Sequence, residues 1–400
     1  MAIRQRKWFW KGHERKAWVL EYRDGAGKRR LKTFRTKRDA IDYAATARVD
    51  IKHRTHVADA ESLTVRAAGM LWLATGEENG LERSTRTRNK QHLDLHITPF
   101  IGATKLNKLT VPAVRTFETT LRTNGRSPAL TRMVLSSLGA LVGDAQERGL
   151  ALRNPVRGLR RQRRKAPGRH KAKLAIGVDT PTPAEIRALL KAAQGGWHAF
   201  FSVAALAGLR GSELRGLRWP DIALGAATIT VRQRADAWGE IGSLKSEAGY
   251  RTIPVSPMVV KALREWKLAC PKGDDGLVFP NGRGRVESHQ NIVQRAWYPL
   301  QLRAGVAVPK LDQDGKPIED EDGQVVMKPK YPGLHALRHF YCSWCAARPQ
   351  DGGLGLPLKT VQDRMGHSTL AMTADRYGHL FPSQDDAEVL ATGERALMGA

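Results

Sequence analysis

Cysteine is scarce. Cys270, Cys342 and Cys345 are the only three in 400 residues, too few for a disulfide framework, so a packed core must hold the chain. Cys342 and Cys345 stand in C-S-W-C. A redox or metal pair at that spacing calls for a second ligand pair, which is missing, and two buried thiols on a helix is the simpler reading. Long apolar runs are absent too. No stretch nears the roughly 20 residues that cross a bilayer, and the opening MAIRQRKWFWKGHERK lacks the apolar centre of a signal peptide. These features fit a reducing cytoplasm. Acid is the third shortage: 39 Asp and Glu face 66 Lys and Arg, a formal charge of +27. Such an excess repels itself unless a polyanion neutralises it. Nucleic acid does so with release of counterions. A membrane surface would call for a long basic amphipathic helix or a lipidation signal, and neither is present.

Three blocks follow one another. In residues 1–55, AWVLEYR alternates, a turn follows at Asp24-Gly25-Ala26-Gly27, and KRRLKTF returns, the pattern of a hairpin. Thr36 and Asp39 then open a short helix. Arg23, Lys28, Arg29, Arg30 and Lys32 crowd these strands and read either as a solvated face or, preferably, as a face laid on DNA. Residues 62–158 carry apolar residues at helical spacing, from TVRAAGMLWLAT to PALTRMVLSSLGALVGDAQERGL, and stop at Asn154-Pro155. Residues 153–173 hold ten Lys or Arg and no acid. The segment 159–179 is therefore expected to be a linker, flexible or lying along phosphates through Arg160, Arg161, Arg163 and Arg164.

The block 180–400 opens with T-P-A-E, where Thr182 is placed to cap, Pro183 to start and Glu185 to close a capping box. A buried helix, WHAFFSVAALAG, ends at Gly208; strands are expected in ATITVRQR and YRTIPV. Residues 309–330 are polar and acidic with two Asp-Gly pairs and read as a protruding hairpin. Calcium is the weaker alternative, because Gly315 is misplaced for an EF-hand loop.

Near the end stands RMGHSTLAMTADRYGHL. Tyr377 is either an ordinary aromatic at a helix end or a nucleophile. A phenol with pKa ~10 attacks a phosphodiester poorly at neutral pH. It needs cations on the phosphate oxygens, which arginine forks supply best, and a proton for the leaving oxygen. Arg210 follows a helix end in AGLRGSELRGLRW, with Glu213 in position to hold it. Lys245 lies beside a hairpin turn, His335 and Arg338 share a helix face in GLHALRHF, and His367 precedes the tyrosine. Each is ordinary alone.

Their order is not. G-L-R-x-x-E-L, a lysine before R-T-I-P, H-x-x-R, G-H and Y-G-H together resemble the tyrosine recombinase, or phage integrase, family over residues 180–385. The resemblance implies a multidomain α+β fold: an arm-binding domain with a three-stranded sheet, a helical core-binding domain, and a mixed, mainly α catalytic domain. It implies Arg210, Lys245, His335, Arg338 and His367 as the activating set, Glu213 as support and Tyr377 as nucleophile, with no metal or other cofactor. The implied partners are double-stranded DNA attachment sites and three further copies of the chain, with an excisionase and DNA-bending host factors as accessory candidates. A Xer-like resolvase, a type IB topoisomerase and a DNA-binding protein without catalysis are the rival readings.

Overall fold

The structure is a computed structural model. It describes residues 1–11, 13–24, 27–52, 62–159, 174–273, 275–380, 391 and 394–399. The chain divides into two compact units, Met1–Arg164 and Lys165–Ala400.

The first unit begins with an antiparallel meander of β1 (Ala2–Trp10), β2 (His13–Arg23) and β3 (Arg29–Phe34), in that order. Only the hairpin β2–β3 is written as alternation. β1 is solvent-exposed along almost its whole length and so carries no period-2 burial pattern. Helix α1 (Lys37–Lys52) packs on the sheet and encloses Leu20, Tyr22 and Ala44. Thr36 Oγ1 accepts from the Asp39 amide at 3.1 Å, as its position suggested. The basic residues here are tied down. Arg29 pairs with Glu21 at 2.5 Å, Arg30 with Asp24 at 2.7 Å, and Lys32 lies 3.6 Å from the centre of the Tyr43 ring.

After α1 the unit continues with the helices α2 (Val65–Glu78), α3 (Arg83–His92), α4 (Thr98–Ile101), α5 (Val111–Thr123) and α6 (Pro128–Glu147). Thr64, Thr110 and Ser127 cap α2, α5 and α6 through their hydroxyls. A wide π turn over Leu93–Ile97 joins α3 to α4 and turns both of its end residues into a core with Phe117, Leu121 and Leu138. The stop at Asn154 is fastened by its amide, which donates to the Gly139 carbonyl at 2.7 Å.

The second unit starts with α7 (Pro183–Ala192), α8 (Gly195–Leu206) and α9 (Gly211–Arg215). Thr182 and Glu185 form the expected capping box. Glu185 also accepts from Lys330 at 2.6 Å and from the Tyr331 hydroxyl at 2.9 Å, so one acid caps a helix and anchors a segment some 145 residues away in the sequence. Strands β4 (Ile222–Ala223), β5 (Thr228–Val231), β6 (Arg234–Ala235), β7 (Ile241–Gly242) and β8 (Arg251–Pro254) make a three-stranded sheet, β4-β5-β8, and a small β6-β7 ladder. Then come α10 (Pro257–Ala269), α11 (His289–Asn291), α12 (Tyr298–Arg303), β9 (Ala307–Pro309), β10 (Met327–Pro329), α13 (His335–Ala346), α14 (Leu358–Met365) and α15 (Leu370–Tyr377). No described helix is long and apolar enough to cross a membrane.

Helices α8 and α13 lie at the centre of this unit's core, and Cys342 and Cys345 are buried there as free thiols. The acidic segment is more than a simple hairpin. β9 and β10 pair, and between them two equivalent turns follow eight residues apart: Asp312 Oδ1 accepts from the amides of Asp314 and Lys316, and Asp320 Oδ1 from those of Asp322 and Gln324. Gly315 and Gly323 supply the positive φ each turn needs.

Candidate active site

Gly208 follows the C-cap residue of α8; its φ of +64° lies in the left-handed region, and a Cβ there would strike the Tyr341 ring. The turn points the Gly208 carbonyl at Arg338 Nη1, 2.6 Å away. Two residues on, Arg210 is the N-cap of α9. Its amide and its Nη1 both donate to Glu213, at 2.8 and 2.6 Å. Arg251, the first residue of β8, reaches the same carboxylate with Nη2 at 2.9 Å.

The C-terminus of α14 holds all three arginines. A helix end leaves carbonyls unpaired and carries partial negative charge. Arg251 Nε donates to the Arg364 carbonyl at 2.8 Å, Arg338 Nη2 to that of Met365, and Arg210 Nη2 to that of Gly366 at 2.8 Å. Gly366, with φ +61°, ends the helix so that these carbonyls fan toward the three guanidiniums. Arg338 is only 2% exposed. Burial, then the charge of Arg210, push its pKa down to about 9, so it stays cationic at neutral pH. Burial would raise Glu213, but Arg251, Arg338 and Arg210 outweigh it and hold the carboxyl at about 2.

Tyr377, the last residue of α15, is also 2% exposed. Its hydroxyl meets His339 Nδ1 at 2.5 Å, and its ring lies nearly parallel to that of His367, with centroids 6.3 Å apart. His367 Nδ1 meets Thr373 Oγ1 of α15 at 2.9 Å, which ties the imidazole to the helix carrying the tyrosine. His335 sits edge-on to His339 at 4.4 Å between centroids. Burial and the nearby arginines lower all three histidines, to about 4 for His335 and about 3 for His339 and His367. His335 keeps solvent access, so for it the guanidinium charges matter more than dehydration. All three are neutral at pH 7. Burial pushes the Tyr377 phenol up, with Arg338 and Arg376 opposing. The result is a neutral phenol beside two guanidiniums and neutral imidazoles, an arrangement suited to an incoming anion.

Residues 181–384 match the profile of the Phage integrase family, and residues 70–121 match that of the Phage integrase, N-terminal SAM-like domain. The chain belongs to the phage integrase family. Among its relatives, a XerC-like tyrosine recombinase of Caldanaerobacter subterraneus subsp. tengcongensis is 25% identical over 65% of this chain and 64% of that protein. The chain thus spans just under two thirds of that relative's length. The phiRv2 prophage integrase of Mycobacterium tuberculosis is 27% identical over 78% of this chain and 74% of that protein. The Tn1549 transposon integrase, solved in complex with a circular intermediate DNA, aligns with a TM-score of 0.59 at 19% identity, over 84% of this chain and all of that one. That likeness establishes the fold.

The structure gathers Arg210, Glu213, His335, Arg338, His367 and Tyr377. Lys245 lies on an exposed bend between β7 and β8, six residues before Arg251. Arg160, Arg161, Arg163 and Arg164 lie outside the described residues. Two members of the site went unassigned in the sequence. Arg251 is the arginine of R-T-I-P, and His339 directly follows Arg338 in L-R-H-F. Each lies in or next to a motif, but nothing in the sequence marks the distant residue it would meet. Among the described residues, no group of three or more His, Cys, Asp or Glu is arranged to hold a metal ion.

Proposed function

We propose that this chain is a site-specific DNA recombinase that integrates or excises a phage or mobile element, with Tyr377 as nucleophile. One observation carries the reading: a buried phenol hydrogen-bonded to an imidazole, beside guanidiniums fixed in place by Glu213 and the end of α14. A protein that only binds DNA has no need to bury Arg338 and Tyr377 together.

In the cleavage step the Tyr377 oxygen bonds to phosphorus and the P–O5′ bond breaks. A 3′-phosphotyrosyl link and a free 5′-hydroxyl result. Arg210 and Arg338, with His367, bind the non-bridging oxygens as charge builds on them. Lys245 protonates the departing 5′-oxygen, and its exposed bend lets it reach a DNA strand. His335 borders the tyrosine's histidine partner and assists proton movement. A second 5′-hydroxyl then displaces the tyrosine. The phosphodiester's energy is kept in the covalent link, so no ATP is consumed. Four copies on two attachment sites would exchange strands in turn, in the host cytoplasm, with an excisionase and DNA-bending proteins as further partners.

The test uses a nicked duplex cut from the DNA flanking the chain's own gene. Strand cleavage should trap an adduct that maps to Tyr377 and carries the DNA's 3′-phosphate. An adduct on the 5′ end would overturn the reading. Relaxation of any supercoiled plasmid, without site preference, would assign the chain to the type IB topoisomerases instead.

Deleting residues 1–55 should weaken binding to DNA lying away from the cleavage site. Each phosphate that the shortened chain leaves unneutralised should flatten the log–log salt dependence by about 0.9. Cleavage of the nicked duplex should survive, and its disappearance would show that the segment serves the catalytic unit.

A further inference from the structure

The phenol's proton must go somewhere when Tyr377 attacks, and the group that touches it is not one of the residues the sequence nominated. The Tyr377 hydroxyl meets His339 Nδ1 at 2.5 Å. His339 lies one helical turn after His335 on α13 and is 7% exposed. Its backbone is held by the Ser343 hydroxyl, which donates to the His339 carbonyl at 3.0 Å. Its ring is closed in by His335, edge-on at 4.4 Å, and by Tyr377 at 5.8 Å between centroids. Arg338, Arg376, His335 and His367 face it electrostatically and, with burial, keep the imidazole neutral. A neutral imidazole offers one nitrogen as acceptor. Nδ1 is the nitrogen beside the phenol, and a phenol about to attack must give up its proton.

We propose that His339 is a catalytic residue whose Nδ1 takes the Tyr377 proton as the Oη–P bond forms and returns it when the 5′-hydroxyl displaces the phenol. This assignment rests on Tyr377 being the nucleophile. The balance closes without a co-reactant. The phenol proton moves to His339, the P–O5′ electrons leave with the 5′-oxygen, and that oxygen is protonated by Lys245. Ligation runs the same transfers backward. The imidazole gains basicity when it is needed, because the incoming phosphate is an anion that offsets the surrounding guanidinium charge.

Two variants separate proton transfer from positioning. His339→Asn sets an amide oxygen near the place of Nδ1, so it can accept the hydrogen bond but cannot take the proton. His339→Ala removes both functions. In the full chain, both variants should bind the nicked duplex as the parent does, and both should cleave it at least about 100-fold more slowly. A more acidic nucleophile should compensate. With 3-fluorotyrosine at position 377, cleavage should recover about tenfold in both variants and change little in the parent, since a phenol that ionises more readily depends less on a base.

Cleavage by His339→Asn close to the parent rate would reduce His339 to a positioning residue and overturn the proposal. So would failure of the fluorinated phenol to recover either variant, because a structural defect does not respond to phenol acidity. Tyr377→Phe is the separate control. If it still forms a covalent adduct, the nucleophile assignment itself has failed. If it forms none while His339→Ala cleaves normally, only the role of His339 has failed.

Discussion

Replacing Tyr377 by phenylalanine should abolish covalent capture of nicked DNA, a loss of at least about 10,000-fold, because the nucleophilic oxygen itself is gone. Binding should stay within about twofold, since phosphate affinity resides in the cations and not in a neutral phenol. The variant should still fold, but at some cost. His339 Nδ1 loses its partner inside the protein, and a buried polar atom left unpaired costs roughly 1–3 kcal/mol. The decisive comparison is therefore adduct yield against DNA affinity and melting temperature in the same preparation. Unchanged affinity with no adduct supports the reading. An undiminished adduct would place the nucleophile elsewhere. Arg210 and Arg338 should behave differently, because removing either affects phosphate binding and chemistry together.

Local rules made much of the fold legible. Thr182 with Glu185, and the glycine at 208, stand where a helix must start or end, and the structure uses them so. The third strand of the first sheet was implied only by the family resemblance, because almost every residue of β1 faces solvent and burial is what writes alternation into a strand. The site divides along similar lines. Arg210, Arg338 and Tyr377 were readable through ordered motifs. Arg251 and His339 were not, because each acts on a residue 38 positions away, Glu213 and Tyr377 respectively. Side-chain identity says little about which distant group a chain will face. The carbonyls of Arg364, Met365 and Gly366 were further out of reach, since every residue has one. Only the folded helix end turns them into a three-fold anchor.

That anchor has a counterpart in Glu213, and there the second large effect is expected. The carboxylate accepts from the Arg210 amide, from Arg210 Nη1 and from both terminal nitrogens of Arg251, while itself 2% exposed. Glu213→Gln keeps the shape but leaves buried guanidiniums uncompensated, which should destabilise the catalytic unit by roughly 3–5 kcal/mol. For a unit of this size that is a melting temperature lower by about 10 °C. The pH dependence identifies the group. Its folded pKa, about 2, lies below the ordinary 4.5. The stabilisation is therefore present above pH ~4.5 and is lost as pH falls toward ~2, at roughly 3 kcal/mol in all. Acid unfolding of the parent should steepen across that interval, and Glu213→Gln should lack that component. A variant that keeps the same acid dependence would show that another carboxylate governs it. Cleavage should fall with stability in this variant and should not return on cooling, because Arg210 needs the carboxylate for its aim as well as for its burial.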